Sequence, residues 1–275
     1  SPRARKLRGG GAARPKIMAP ARTLEAGGAQ LEIRDVSAGI GEVAILDRLS
    51  FAIRQSGISC IIGPNGAGKT STFNLLTGEL AARRGQVVLD GVMVSGMAPH
   101  RIVRRGVGRK FQIPSVFPDL AIADNLGIAL WSGRASWLDL LRPRLRRWTS
   151  PMLEELCERY PFLAEADRRA AELSHGERQI LELAMALLTE PRVLLLDEPC
   201  AGLSPEETQG VIDVIRWAAP RLGSAIVVIE HDMSLVKALA ATVYVLHNGT
   251  LLAEGSVAEI QADPAVRAVY VGSEK

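Results

Sequence analysis

The stretch GPNGAGKTS, residues 63–71, follows the apolar run ISCII (58–62) and precedes TFNLLTG (72–78). Glycines at these positions let the backbone curl around an anion with its N–H groups turned inward. A helix that begins directly after the loop adds the positive end of its dipole at the same place. The pattern G-x-x-x-x-G-K-[ST] between a buried strand and a helix therefore predicts a phosphate-binding loop.

This phosphate-binding loop (residues 63–71) predicts a bound nucleoside triphosphate with its metal ion. The Lys69 ammonium is expected to reach the β- and γ-phosphates of ATP, and the Thr70 hydroxyl is expected to ligate Mg²⁺. A glycine-rich turn without a ligand is the alternative, although the pattern arises by chance in only about one per cent of chains of this length. The candidate nucleotide ligands in the loop are Gly63, Pro64, Asn65, Gly66, Ala67, Gly68, Lys69, Thr70 and Ser71.

The charge of the chain is concentrated at its beginning. The 275 residues are 47% hydrophobic and 23% charged, with a net charge of +3, as is typical of a soluble globular protein. Residues 1–22 hold seven Lys and Arg and no acidic residue, so that 26 basic residues face 30 acidic ones in the remainder. We therefore expect residues 1–23 to be a disordered basic tail, and the pI gives no indication of a nucleic-acid-binding face.

The cysteines argue against a protein held by disulfides or a metal cluster, and the apolar runs argue against a membrane-spanning helix. Cys60, Cys157 and Cys200 are odd in number and widely spaced, which predicts neither a disulfide framework nor a metal cluster and fits a reducing cytosol. No stretch approaches 18 continuous apolar residues, so we expect no membrane-spanning helix.

The hydrophobic pattern predicts an α/β fold with three parts. Residues 31–57 alternate between apolar and polar, and residues 85–94 carry an Asp-Gly turn between β-branched runs, so both stretches predict antiparallel strands. Residues 113–190 show helical spacing and no comparable apolar run. Three continuously apolar runs predict strands buried on both faces of a parallel sheet: ISCII (58–62), VLLL (193–196) and AIVVI (225–229).

Two carboxylates follow the second of these runs, in VLLLDEP (193–199). Such residues lie at the carboxyl edge of a parallel sheet, where ligands bind in this class of fold. Because neighbours on a strand point to opposite sides, Asp197 is expected to hold Mg²⁺ and Glu198 to orient and deprotonate the attacking water. A strand-end turn with two solvated acids is the alternative.

Four further stretches, which follow one another along the chain in the family's order, resemble the motifs of the ABC (ATP-binding cassette) ATPases. LSHGERQ, the signature segment (residues 173–179), is similar to the family's signature motif, although Ser174 at a helix start also fits a simple cap. Gln112 matches the Q-loop glutamine, the residues after Glu198 match the D-loop, and His231 in VIEHDM matches the switch histidine. The resemblance covers residues 31–260.

The resemblance implies a P-loop NTPase (RecA-like) core with an antiparallel β subdomain and an inserted helical subdomain. The implied single domain covers 24–275, in which 24–111 and 191–275 form the core and the β subdomain, and 112–190 form the helical subdomain. Family cassettes pair head to tail around ATP, so Ser174 and the Gly176 N–H are expected to bind the γ-phosphate held by the opposite subunit.

The same resemblance implies catalytic roles for three side chains. Glu198 and His231 are expected to act in hydrolysis. Gln112 is expected to touch the Mg²⁺ and water site and to relay its state to a membrane partner.

The chain departs from the family pattern at three places. Ile40 stands where an aromatic residue commonly stacks on adenine, which removes part of a stacking energy of about 1–3 kcal/mol. His175 and Glu177 replace the usual Gly and Gln of the signature, which is expected to weaken a polar contact between subunits. Ser204 stands where the D-loop often has Asp, and Ser204-Pro205-Glu206-Glu207 predicts a helix capping box.

Several stretches together resemble the ATP-binding subunits of importers for branched-chain amino acids and for urea or short-chain amides, and the LSHGE signature is closer to the urea type. The resemblance implies an ATPase on the cytoplasmic face of the membrane. Its implied partners are membrane-spanning permease subunits, a second cassette of the same or a related kind, and indirectly an external solute-binding protein. An exporter ATPase is the main alternative. A nucleic-acid-acting ABC ATPase, a GTPase and a small-molecule kinase are disfavoured, because the chain has one cassette, no sustained heptads and no N-K-x-D motif.

Overall fold

The computed structural model describes residues 17–18, 31–54, 57–110, 116–132 and 148–271. The strands in these ranges are β1 (Ile17–Met18), β2 (Leu31–Ile40), β3 (Val43–Ile53), β4 (Gly57–Ile62), β5 (Ala82–Leu89), β6 (Val92–Met93), β7 (Val107–Lys110), β8 (Trp148–Thr149), β9 (Val193–Asp197), β10 (Ala225–Ile229), β11 (Thr242–His247) and β12 (Thr250–Gly255). The α-helices are α1 (Lys69–Thr77), α2 (Pro99–Arg104), α3 (Ile122–Ser132), α4 (Pro151–Arg159), α5 (His175–Leu188), α6 (Pro205–Leu222), α7 (Met233–Leu239), α8 (Val257–Ala262) and α9 (Pro264–Val271).

A six-stranded sheet with the order β12-β11-β4-β10-β9-β7 forms the centre of the fold. All its neighbouring strands run parallel except β12, which is antiparallel to β11. The strands β4, β9 and β10 are the three continuously apolar runs, and β10 lies between the other two and pairs in parallel with both, in the parallel sheet that the sequence predicts. Their alternate side chains enter separate clusters on the two faces, which explains the absence of polar alternation.

A second sheet, with the order β3-β2-β5-β6, is antiparallel throughout, as the sequence also predicts. The turn between β5 and β6 is Asp90-Gly91, and both residues have positive φ, 49° and 77°, as a two-residue hairpin requires. This sheet covers one face of the central sheet and shares its hydrophobic cluster. Across the two sheets the Tyr244 hydroxyl donates to the Ala52 carbonyl at 2.7 Å.

The helices α3, α4 and α5 lie in the segment for which the sequence predicts the helical part. Buried apolar side chains of α3, α4 and one side of α5 form a separate cluster, whereas Ile180, Leu183 and Leu187 of α5 pack into the cluster on one face of the central sheet. The Tyr160 hydroxyl, which follows α4, donates to the Gly210 carbonyl of α6 at 3.2 Å and so connects this layer to the core. The mixed α/β fold with an antiparallel sheet and a helical layer confirms the predicted fold class.

The predicted basic tail falls largely on residues outside the described ranges. Of the basic tail (residues 1–23), only β1 is described, and it pairs in parallel with β8. In the part of the chain that the structure describes, none of the helices has both the length and the apolar character needed to cross a bilayer.

Candidate functional site

The phosphate-binding loop connects the central strand β4 to α1, and its shape requires glycine at two positions. A Cβ atom on Gly63, which has φ +153°, would lie 2.2 Å from the Leu246 carbonyl oxygen. A Cβ atom on Gly68, with φ +99°, would lie 2.8 Å from Cδ2 of Leu46. The loop therefore passes directly between strands of the two sheets, where no larger residue fits.

The remaining members of the loop differ in exposure. Asn65, Gly66 and Thr70 are exposed, Pro64 and Ser71 are half-buried, and Ala67 is buried. The Ala67 N–H donates to the Pro64 carbonyl at 3.2 Å, and the Ala67 carbonyl accepts from the Gly249 N–H at 3.1 Å. The curled backbone presents its exposed side at the N-terminus of α1, as an anion cradle does.

Lys69 extends back over this loop. Its ammonium donates to the carbonyl oxygens of Gly63 at 2.8 Å and Pro64 at 3.0 Å. Burial lowers the pKa of Lys69, and the nearby carboxylates of Glu198 and Asp197 act in the opposite direction. The structure thus brings together the lysine and the two acids that the sequence singles out.

Asp197 ends β9 in a buried position, next to the buried guanidinium of Arg109 on β7. Asp197 Oδ2 lies 3.3 Å from Arg109 Nη2, and Arg109 Nη1 also donates to Asn74 Oδ1 at 2.7 Å and Glu79 Oε2 at 3.2 Å. Burial raises the pKa of Asp197, and the charge of Arg109 opposes this shift. Arg109 therefore holds the acid in place from the strand beside it.

The second oxygen of this carboxylate fits a metal ion. Asp197 Oδ1 is buried and accepts no hydrogen bond from any residue that the structure describes. An oxygen in this state is costly unless a donor or a cation meets it. Mg²⁺ prefers oxygen ligands and is commonly held by one or two protein groups together with substrate phosphates. Among the described residues there is no cluster of three or more His, Cys, Asp or Glu that could hold a metal ion.

Glu198 follows Asp197 with its side chain about one-third exposed and its backbone in the left-handed region, at φ 45°. This conformation costs a non-glycine residue about 1–3 kcal/mol and is often found at functional sites. The Glu198 N–H donates to the Ile229 carbonyl at 3.1 Å. His231 is exposed, and its Nδ1 lies 3.5 Å from Glu198 Oε1. The predicted base and the predicted switch histidine are therefore neighbours.

Glu230, between β10 and His231, is a buried acid that sequence reasoning missed. It is 2% exposed, and its Oε1 accepts no hydrogen bond from the described residues. Burial raises its pKa to about 7, while hydrogen bonds from the backbone of His231 and Cys200 act in the opposite direction. The one sequence feature that could have pointed to this buried acid is its position directly after a continuously apolar strand.

The predicted roles of two further site residues, Gln112 and Ile40, stay predictions. Gln112 lies outside the described residues, so its role remains a prediction. Ile40 lies at the end of β2, pairs with Val43 across the hairpin, and is 69% exposed. Its predicted contact with adenine is likewise untested.

The signature segment (residues 173–179) begins α5. Ser174 is the N-cap, and its hydroxyl accepts from the Glu177 N–H at 3.1 Å in a capping box. Glu177 also binds the Arg168 guanidinium with both oxygens, at 3.1 Å and 3.0 Å. Glu177 thus has a structural role within the subunit. The Gly176 N–H donates to Glu207 Oε1 at 2.9 Å.

Ser204 is the N-cap of α6, with Pro205 in the first turn. Ser204 and Glu207 form the capping box that the sequence predicts. The hydrogen bond that Glu207 accepts from the Gly176 N–H of α5 was not predictable from the sequence. Arg109 was missed for a similar reason, because its partners are brought to it only by the sheet.

Comparison with known proteins agrees with this geometry. The sequence model of the ABC transporter family matches residues 46–201, and a model described as "Branched-chain amino acid ATP-binding cassette transporter" matches residues 250–275. The high-affinity branched-chain amino acid transport ATP-binding protein LivG of Salmonella typhimurium is 36% identical over 249 residues, which cover 88% of this chain and 97% of LivG. BraF of Pseudomonas aeruginosa, which has the same description, is 33% identical over 248 residues, with the same coverage.

A solved structure shows the same fold. The ADP conformation of MJ1267, an ATP-binding cassette of an ABC transporter, superposes with a TM-score of 0.74 at 28% identity, covering 89% of this chain and 99% of that one. The chain therefore belongs to the ABC transporter family and is one of its nucleotide-binding ATPase cassettes.

Proposed function

We propose that this cassette supplies the energy for an importer of branched-chain amino acids. The observation that carries the proposal is the match of the C-terminal residues 250–275 to the branched-chain family model, together with relatives of that name that align over nearly their full length. The signature LSHGE also resembles the urea and short-chain amide type, so urea is the substrate to test against leucine.

We assign ATP binding to the phosphate-binding loop. Its backbone N–H groups and the Lys69 ammonium bind the phosphates, with Lys69 exchanging its present carbonyl partners for phosphate oxygens. Thr70, Asp197 and Gln112 are the residues that would hold Mg²⁺, and Asp197 Oδ1, which accepts no hydrogen bond from the described residues, supports this assignment. When bound with ATP, Mg²⁺ neutralises charge on the β- and γ-phosphates.

Glu198 is the proposed general base. Its partly exposed carboxylate follows the metal-binding acid and accepts the proton of the attacking water. His231 lies within 3.5 Å of that carboxylate, and its role is to orient Glu198 and the γ-phosphate. Because Glu198 and His231 follow neighbouring strands β9 and β10, their spacing is set by the sheet.

The proposed active unit contains two cassettes, of this kind or of two related kinds. The exposed Ser174 at the start of α5 faces the γ-phosphate bound by the second cassette, and hydrolysis removes that contact and lets the pair separate. The proposed partners are permease subunits that cross the membrane, with a solute-binding protein acting through them. The cassette is then peripheral on the cytoplasmic face.

The chemistry is tested with Glu198→Gln, measured by phosphate release and by ATP binding. We expect turnover to fall by about 10²–10⁴-fold, because the proton acceptor is lost, while ATP binding is retained and the ATP-bound dimer persists. Glu158→Gln, on the exposed side of α4, is the control for the substitution. Undiminished hydrolysis would exclude Glu198 as the base, and an activity per subunit that stays constant on dilution to monomer would exclude the paired site.

The transported solute is tested with the membrane subunits. Permease subunits that co-purify with the cassette are reconstituted in vesicles, and ATP-driven uptake of leucine and of urea is compared. Uptake of leucine is expected, uptake of urea alone would reassign the substrate, and outward transport would indicate an exporter.

A further inference from the structure

One buried guanidinium, that of Arg109, connects three elements around the nucleotide site. Its side chain is 7% exposed, and its Nη2 lies 3.3 Å from Asp197 Oδ2 at the end of β9. Its Nη1 donates to Asn74 Oδ1 of α1 at 2.7 Å and to Glu79 Oε2, just beyond α1, at 3.2 Å. Asp197 alone would balance the charge of Arg109, so the bonds to α1 and its end call for a further explanation.

The pairing of β7 with β9 places Arg109 beside both partners. Arg109 pairs with Leu195, and side chains two residues apart on a strand share a face, so Arg109 and Asp197 lie on the same face of the sheet. Helix α1 covers that face, since Phe73 and Leu195 belong to one hydrophobic cluster. The guanidinium carbon is 5.7 Å from the centre of the Phe73 ring. Arg109 therefore lies between α1 and the end of β9.

The two elements that Arg109 connects each carry a residue that would hold Mg²⁺. Asp197 ends β9, and Thr70 lies in the first turn of α1. Thr70 and Asn74 are four residues apart on the helix, so their side chains lie on the same side of α1, one turn from each other. The side of α1 on which Thr70 would meet the metal ion is therefore also the side that contacts Arg109.

The distance between the two ligands has to be held closely for this metal ion. Mg²⁺ requires a near-ideal octahedron of ligand atoms at about 2.0–2.1 Å. Asp197 turns Oδ2 to Arg109, while its Oδ1 accepts no hydrogen bond from the described residues. The ion pair thus decides which oxygen is left for the metal. Groups that orient metal ligands in this way typically contribute about 10–100-fold to metal affinity.

We propose that Arg109 is a positioning residue that fixes the spacing between Thr70 and Asp197, so that these Mg²⁺ ligands are already arranged when the nucleotide arrives. The guanidinium holds Asp197 directly, and it holds Thr70 through Asn74, one turn further along α1. The consequence for the metal rests on the proposed assignment of Thr70 and Asp197 as its ligands, whereas the link between α1 and β9 does not.

The link is tested without metal or nucleotide by a double-variant cycle in urea unfolding of the full chain. Asn74→Leu removes the acceptor at nearly constant volume, and Asp197→Asn removes the charge at the other end of the link. The bonds described for the two side chains go to Arg109 and not to each other. Because they share this partner, we expect the stability loss of the double variant to differ from the sum of the two single losses.

A second cycle is the control for this measurement. In it Glu158→Gln, on the exposed side of α4, takes the place of Asp197→Asn, and its losses are expected to add. Additive losses of Asn74→Leu and Asp197→Asn would overturn the link through Arg109.

The consequence is tested with Mn²⁺ in place of Mg²⁺, by electron paramagnetic resonance of the cassette with a non-hydrolysable ATP analogue. Asn74→Leu changes no charge, so a change in Mn²⁺ affinity reports the position of the ligands. We expect the Kd for Mn²⁺ to rise about tenfold, while the Kd for the analogue in EDTA is unchanged. Asn74→Asp keeps an oxygen acceptor for Arg109 and is expected to bind Mn²⁺ at least as tightly as the natural chain.

Three outcomes would overturn the positioning role: an unchanged Mn²⁺ affinity in Asn74→Leu, an equal loss of affinity for the analogue without metal, or an equal loss of Mn²⁺ affinity in Asn74→Asp. Thr70→Val and Asp197→Asn are measured in the same assay. If neither weakens Mn²⁺ binding, the proposed assignment of the metal ligands is wrong, and the unfolding cycle still decides whether Arg109 connects α1 to β9.

Discussion

The buried carboxyl of Glu230 should make the stability of the protein depend on pH in a way that a single substitution removes. Its pKa rises from 4.5 to about 7, chiefly because burial disfavours the charged form. The native state therefore holds a proton that the unfolded state releases. The stabilisation is complete below the unfolded pKa and is lost as the pH rises through the folded pKa near 7.

The magnitude follows from the pKa difference. At about 1.4 kcal/mol for each tenfold change in proton affinity, ionising Glu230 costs the native state about 3 kcal/mol above pH 8. Glu230→Gln removes the ionisation and keeps the shape of the side chain. We therefore expect the free energy of unfolding of Glu230→Gln, relative to the natural chain, to rise by about 2–3 kcal/mol between pH 5 and pH 8.5.

Urea unfolding at several pH values measures this difference. The contributions of titratable groups that do not interact with Glu230 cancel in the subtraction, so the difference reports Glu230 together with the nearby Glu198, Asp232 and Cys60, which its charge affects. Glu158→Gln serves as the control for a glutamine substitution at an exposed site. Two stability curves that run parallel across this pH range would refute the reasoning, since Glu230 would then ionise in the native state as it does in the unfolded chain.

Three further predictions concern the nucleotide site. Lys69→Ala should weaken the binding of a fluorescent ATP analogue by at least about tenfold, since a charged phosphate contact is lost, and an unchanged Kd would exclude that contact. Arg109→Met should destabilise the protein by about 3–5 kcal/mol in urea unfolding, because the buried Asp197 loses its partner. Adding Asp197→Asn should recover part of that loss, and a double variant that recovers none would show that the ion pair is not the cause. Ile40→Tyr should tighten ATP binding by about 1–3 kcal/mol if the hairpin end meets adenine, and calorimetry that finds no change would remove Ile40 from the site.

The strands buried in the middle of the sheet were the easiest to predict, because burial on both faces leaves a continuous apolar run. The edge strand β7 was not predicted, since VGRK is short and half charged and becomes a strand only through pairing with β9. The hairpin of β11 and β12 was also missed, although Asn248-Gly249, with φ of 47° and 76°, is a turn signal of the same kind as Asp90-Gly91.

The candidate site likewise contains residues that the local sequence predicts and residues whose roles depend on the folded chain. Lys69 and Asp197 were predictable because their chemistry depends on local spacing, after a strand and before a helix. The roles of Arg109 and Glu207 depend on which elements become neighbours, and no local pattern contains that information. The sequence showed that Glu177 departs from the family pattern but not what it binds. Its partner is Arg168, which forms an ion pair with it in the folded chain.

The place of β4 in the sheet has a consequence for synthesis on the ribosome. Both strands that flank β4, β10 and β11, are translated long after it, and the Gly249 N–H that holds Ala67 comes later still. A nascent chain arrested before residue 225 therefore carries the nucleotide-binding strand with both edges open, exposed to mispairing and to chaperones. We therefore expect nucleotide binding to begin only after β10, β11 and Gly249 have joined the loop and strand that precede them.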